Sequence, residues 1–386
     1  MAVASLDAAD RFQVNAAALS SLAVLQLATY ATMQVPVGVL LDRFGPRRML
    51  AAGGLIMAVG QLTVALSIDL TPAVIGRVLV GAGDAFTFIS MIRMVNNWVT
   101  GRSASVIQQW LSTIGQLGQI VSAFPFVALL ELSGWQSGFV TLAVLSLIGA
   151  GLTMLLAVDH AVHKSAQRPS LLTVVSKLRK NIKHPPVRMA FWTHFSTQSM
   201  GNIFALLWGV PFMVGAEGLS RQMASVILTV FVITNASMGP IIGALCLKRP
   251  DWQSRVVVGV PIVGILAWLV VLGLPSPVPV WLLMMLAVAL GIGGPTSMLA
   301  FDYTRTYVKQ SELGAANGFV NIGGFLAGFI MMALIGFGLD LANAGGTLQT
   351  LYSAKNFRAV LWVQFLVVGV GLWGFLREQR LTKQIA

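Results

Sequence analysis

Charge is what this sequence lacks. Of its 386 residues only 10% are Asp, Glu, Lys or Arg, where a typical soluble domain carries about 25%. Too little polar surface is left to cover a globule of 41.1 kDa, which excludes a soluble enzyme, a disordered chain and a fibre. A single cysteine, Cys246, excludes an intrachain disulfide and a Cys-based metal cluster. Residues 1–15 hold no apolar run, so they are neither a signal peptide nor a membrane anchor. There is no Gly-rich phosphate loop with a Lys, no paired-His zinc motif and no pair of acids at inner helix ends. No enzyme chemistry, cofactor or metal is expected.

What the chain has is apolar length. Hydrophobic residues make up 56% and the mean hydropathy is +0.81. A spanning helix needs about 20 mostly apolar residues. Such stretches lie at 17–41, 49–68, 72–97, 104–130, 137–157, 189–214, 223–247, 256–274, 280–300, 314–338 and 359–376. None alternates as a barrel strand would. The fold class is therefore an all-α polytopic membrane protein with eleven visible helices.

The basic residues orient it. With residues 1–16 outside, 19 Lys and Arg fall in inner segments and 4 in outer ones, leaving Arg77 and Arg93 within a helix. Positive charge collects on the cytoplasmic side, so the net +12 is a topology signal rather than a nucleic-acid site. The C-terminus is then cytoplasmic and the N-terminus outside, in the plasma (inner) membrane. The basic, polar stretch 158–188 reads as a cytoplasmic linker. It separates a bundle at 1–157 from one at 189–376, followed by a tail at 377–386. The division is five helices plus six.

The halves repeat. Gly81-Ala82-Gly83-Asp84 leads to Arg102-Ser103-Ala104, and Gly291-Ile292-Gly293-Gly294 leads to Glu312-Leu313-Gly314, at a constant offset of 210. Gly38 to Arg48 finds a degenerate echo in Gly243 to Arg255. Parallel repeats of this kind build many secondary transporters, with the substrate site at the midplane between them. The second half has a whole helix, 189–214, ahead of the one at 223. The first half has only Asp7 to Asn15, which reads as an outer loop. The repeat thus predicts a twelfth helix ahead of residue 1, encoded upstream of this start.

Gly38-x-x-x-Asp42-Arg43-x-Gly45-x-Arg47-Arg48, set between two apolar helices, resembles the signature loop of the major facilitator superfamily. Arg77-x-x-x-Gly81 resembles a second, weaker motif of that family. The resemblance covers the whole chain except the family's first helix, and it implies a two-bundle transporter of six plus six helices acting as a monomer. In the loop, Asp42 is placed to cap a neighbouring helix and pair with an Arg. Gly38 and Gly45 would allow close helix approach and a tight turn. Together these form a gating latch, the alternative being that Arg43, Arg47 and Arg48 only anchor topology.

A charge within a membrane helix is costly and needs a reason. Asp84 lies near the bilayer centre, and Arg77 sits seven residues earlier on nearly the same face, ~10 Å away along the axis. A desolvated carboxylate is a usable proton carrier, which makes Asp84 the candidate for proton coupling. The alternative is a structural partner of Arg77. The stretch around Asp84 is also similar to the anion:cation symporter branch of the superfamily, which implies an organic anion carried with a proton. Arg93 is half a helical revolution from Asp84 and is read as a partner of Asp42, or as a contact for an anionic substrate.

His194, Gln198 and Asn202 recur every four residues, on a helix that in the family lines the cavity. Gln26, Tyr30 and Gln34 form a second stripe, and Asn235, Asn317 and Asn321 add further candidates. Helix packing uses such groups too. Gln108, Ser112, Gln116 and Gln119, interleaved with Gly115 and Gly118, read as close packing. The expected function is proton-driven transport of a small organic anion. Efflux by antiport is disfavoured, because the helix 104–130 lacks the Gly-Pro pair of the family's antiporters. A non-transporting sensor or partner protein with the same fold is the other alternative.

Overall fold

The computed structural model describes residues 5–98, 125–158, 179–308 and 313–385, with residues 107, 111, 114, 115, 118 and 176. Among them every regular element is helical. Nine helices of the described residues are long and apolar enough to cross a membrane, and they match nine of the expected stretches. The stretch 17–41 falls within a further helix, α2 (Ala16–Phe44). Most of 104–130 lies outside the described residues.

The first half comprises α1 (Ser5–Phe12), α2, α3 (Pro46–Leu66), α4 (Leu70–Trp98) and α5 (Pro125–Leu156). The segment read as an outer loop is therefore partly helical: Asp7 sits in the first turn of α1 and Arg11 in the last, where each charge suits the helix dipole. Asn15 then caps α2, its side chain accepting from the Ala18 N–H at 2.9 Å. α2 ends at Gly45, whose φ of 78° favours glycine, and Pro46 opens α3. The tight turn expected of Gly45 is present. The close approach expected of Gly38 is not, since a Cβ there would meet nothing within 4 Å. α5 breaks at Gly134 (φ 76°, ψ 177°), in the gap between the expected spans 104–130 and 137–157.

The second half comprises α6 (Pro185–Ile203), α7 (Arg221–Lys248), α8 (Gln253–Gly273), α9 (Val280–Gly291), α10 (Gly293–Ser297), α11 (Leu299–Tyr307), α12 (Leu313–Ala342), α13 (Ala354–Val360) and α14 (Val363–Ile385). α6 continues to Ala216 through two wider turns, Phe204–Trp208 and Phe212–Ala216. α9 to α11 form one span, which α11 extends to Tyr307, past the expected end at 300. Both α2 and α7 carry an internal proline, Pro36 and Pro240, within one residue of matching places in the repeat.

α3 packs on α4 and α5, and α2 on α4; in the second half α6 is surrounded by α10, α11, α12 and α14. The halves join where α2 runs along α12. Glycines set the closest approaches. A Cβ on Gly60 would lie 2.7 Å from the Gly76 carbonyl, and one on Gly76 would lie 2.7 Å from the Gly60 carbonyl. Gly53 and Gly83 interlock in the same way one heptad along. Such a small-residue seam brings α3 and α4 into backbone contact without help from water, which supplies no driving force inside a membrane.

Candidate functional site

The polar groups of the spans lie along three contacts, α2 with α4, α2 with α12, and α12 with α6. α2 contributes Gln26, Tyr30 and Gln34 from successive turns. The Arg77 guanidinium of α4 donates to Gln26 Oε1. Gly81, one turn further along α4, would place a Cβ against the Gln26 backbone, so glycine there lets α4 come close enough for that bond. Arg77 is buried, and its Nε has no partner among the described residues. Asp84 interacts electrostatically with Arg77 and with Tyr30. Within the described residues it makes neither a hydrogen bond nor an ion pair, so the face that Arg77 and Asp84 share does not become a closed salt bridge.

Tyr30 crosses to the other half. Its ring lies 4.4 Å, centroid to centroid, from Phe325 of α12, and its hydroxyl neighbours Asn321 of α12 and Gln34. Asn321 is also a neighbour of His194 on α6. His194 is buried, with Nδ1 3.4 Å from the Ser297 carbonyl. Four polar atoms of this region are buried without a partner among the described residues: Arg77 Nε, Gln34 Oε1, His194 Nε2 and Asn321 Nδ2.

The other expected residues have quieter settings. Gln198 takes a bond from Ser297 Oγ at 3.4 Å and gives one to Asn202 at 3.5 Å. Asn202 donates to the Gly324 carbonyl at 3.4 Å. Gly324 and Gly328 make room for this stripe, so that α6 packs closely on α12 along it. Asn235 packs on Gly294, the repeat counterpart of Asp84. Asn317 accepts from Thr304 Oγ1 at 2.5 Å, tying α11 to α12. Arg47 bonds the Met154 carbonyl, which fastens the signature loop to α5. Arg48 and Arg93 are exposed. The side chains of Asp42 and Arg43 lie outside the described residues, as do Gln108, Ser112, Gln116 and Gln119.

Ser297, Phe325 and Gly324 were not singled out by sequence. Ser297 had a signal, a polar Thr-Ser pair within an apolar span; Phe325 and Gly324 had none, because their role depends on which helix lies opposite. Among the described residues no three His, Cys, Asp or Glu converge as around a metal ion. A cavity of about 210 Å³ lies elsewhere, beside Asp7, Arg11, Leu130, Gly134 and Trp135. Its polar groups are already engaged: Asp7 by Arg221 at 2.8 Å, Arg11 by the Ser67 carbonyl and the Trp135 ring.

Similar proteins share this plan. The chain is 25% identical over 222 residues to a probable L-galactonate transporter of Escherichia coli K12, covering 57% of this chain and 46% of that protein. It spans less than half of the length of that relative. It is 24% identical over 326 residues to a hexuronate transporter of Bacillus subtilis 168, covering 81% and 76%. It is also 24% identical over 331 residues to a chloramphenicol resistance protein of Pseudomonas aeruginosa, covering 81% and 73%. The fold resembles a bacterial homologue of the human lysosomal transporter Spinster, with a TM-score of 0.69, 14% identity and coverage of 98% and 92%. The sequence matches the family described as the Major Facilitator Superfamily over residues 1–332. The chain belongs to the major facilitator superfamily, a family of membrane transporters and not of enzymes.

Proposed function

We propose that this chain is a secondary transporter of a small organic anion, driven by protons through alternating access of its two halves. The observation that carries the reading is Arg77, a buried guanidinium in a membrane span. One nitrogen rests on Gln26, another has no partner, and Asp84 shares its helix without pairing to it. A guanidinium in that state is a fork for an incoming carboxylate. Asp84, half-buried within a membrane span and unpaired among the described residues, takes the role of proton carrier. Relatives named for galactonate and hexuronate transport support an organic acid as cargo.

The topology proposed with it has eleven spans, five before the cytoplasmic linker 158–188 and six after, with 104–130 as one of them. It places the N-terminus outside and the tail 377–386 in the cytoplasm of the plasma membrane. The loop from Gly38 to Arg48 would gate, and the monomer would be the working unit. A second reading, efflux, is favoured by the resemblance to the chloramphenicol resistance protein. Uptake into oriented vesicles separates the readings. Accumulation of a labelled sugar acid that collapses with the proton gradient supports import. Extrusion supports efflux, and no solute movement in either direction sinks both.

A further inference from the structure

At one end of the second half, α14 finishes beside the start of α8. Gln379 Nε2 donates to Ser254 Oγ and joins the two helices at that level. Around this bond the surface is cationic: Arg255, Arg377, Arg380 and Lys383 are all exposed. None of the four pairs with a carboxylate among the described residues. Glu378 is buried on another face of α14 and held by Arg188, and exposed Asp251 joins none of them. We propose that the paired ends of α8 and α14 bind the headgroup of an anionic phospholipid, with Arg255 and Arg380 on its phosphate.

The side chains along each helix follow a lipid from tail to head. On α14, Leu366, Val370, Trp373, Arg377 and Arg380 recur at three- and four-residue steps, so they share one face. All five are exposed, and they pass from aliphatic to aromatic to cationic toward the helix end. On α8, Arg255, Ile262, Leu266 and Leu269 share a face in the reverse order and are exposed as well. Two matching stripes therefore run from an apolar wall to a cationic rim. Each rim carries a tryptophan under an arginine. Arg255 Cζ lies 5.9 Å from the Trp252 ring centre, and Arg377 Cζ lies 5.6 Å from that of Trp373. Tryptophan favours the level where acyl chain gives way to headgroup. Stacking takes one face of a guanidinium and leaves its N–H edge for a phosphate.

The two rims face the same way. Contact between the first turn of α8 and the closing turns of α14 makes these spans antiparallel. One residue turns ~100° about a helix axis. From Ser254 to Arg255, and from Gln379 to Arg380, that turn carries both side chains to one side of the pair. Packed helices lie ~8–10 Å apart, a gap that two arginines can close on one phosphate. The proposed topology puts this end in the cytoplasm, the side on which membranes carry anionic lipid.

The test is thermal stabilisation of the full chain in detergent by added lipid, since a ligand of the folded state raises the melting temperature. The probes are phosphatidylglycerol and, with the same acyl chains, phosphatidylcholine. Phosphatidylglycerol is expected to stabilise the protein and phosphatidylcholine to leave it unchanged. Arg255→Gln and Arg380→Gln should each raise the half-saturating amount of phosphatidylglycerol ~5-fold, the weight of one basic residue at an anionic surface. Arg255→Lys keeps the charge and should recover part of that loss. Lys355→Gln removes an equal charge from exposed α13, beyond the other end of α14, and should have no effect. Should one arginine variant not fold, the other gives the same comparison. Equal stabilisation by the two lipids, or unchanged affinity in both arginine variants, would overturn the site. A loss in Lys355→Gln as large as in Arg380→Gln would overturn it too, because net charge alone would then be at work. Inorganic phosphate matching phosphatidylglycerol at equal concentration would overturn the lipid and leave a site for a soluble anion.

Discussion

The glycine seam between α3 and α4 makes a sharp claim about Gly76→Ala. A Cβ there would lie 2.7 Å from the Gly60 carbonyl, 2.7 Å from Val64 Cγ2 and 2.9 Å from the Val64 nitrogen. Ordinary contact begins near 3.4 Å, so the helices must part by about 0.7 Å at that level. Two of the three obstacles are backbone atoms and cannot swing aside. Overpacking of this kind costs about 1–3 kcal/mol, against which alanine regains up to ~1 kcal/mol of helix propensity. The net is a loss of as much as ~2 kcal/mol. Arg77 is the next residue, so the same displacement moves the guanidinium relative to Gln26. Gly151→Ala in α5 is the control, because a Cβ there meets nothing within 4 Å, and it should melt at or above the wild type. The assay is the apparent melting temperature in detergent, followed by solute uptake. Gly76→Ala melting as high as Gly151→Ala, with uptake intact, would refute the seam.

Other outcomes follow from the pairings. Glu378 is nearly buried and takes two contacts from Arg188, at 3.0 and 2.9 Å. Arg188→Met should cost about 3 kcal/mol at most, discounted because the Arg188 side chain is 35% exposed, and adding Glu378→Met should restore part of the melting temperature. Buried Glu217 accepts from Ser276 Oγ at 2.8 Å and from the Val278 N–H at 2.7 Å. Glu217→Ala strands that N–H and should destabilise by about 1–3 kcal/mol in the same melt. Asp7 and Arg221 pair at 2.8 Å with each side chain about a third exposed. Asp7→Asn should change stability by less than about 1 kcal/mol, and that small difference should fade in high salt.

The membrane class and the spans were legible because lipid imposes a simple rule: backbone polar groups must bond within their own helix, so each span needs a long apolar run. The repeat was legible because its glycines are structural. Gly81 and Gly291, 210 residues apart, would each place a Cβ against the backbone of the preceding repeat-equivalent helix, at Gln26 and Phe231. Gly38 misled, since a motif glycine need not touch a neighbour. The Asp7 segment misled as well, because a short amphipathic helix and a polar loop share a composition. Arg77 and Gln26 were each visible as polar intrusions, but their bond was not, because α2 and α4 must first be placed side by side. The seven-residue spacing of Gly53 with Gly60, and of Gly76 with Gly83, was present in the sequence. It becomes a seam only once the two helices are known to run antiparallel.

The central claim is that Asp84 couples a proton to solute movement, and proton flow tests it most directly. Proteoliposomes loaded with a pH-sensitive dye receive an outside pulse of the sugar acid that the oriented vesicles accumulate. The account predicts acidification of the lumen in step with solute entry. It further predicts that Asp84→Asn still exchanges labelled for unlabelled solute but moves no protons. Solute entry with no pH change in the wild type, or full acidification by Asp84→Asn, would contradict it.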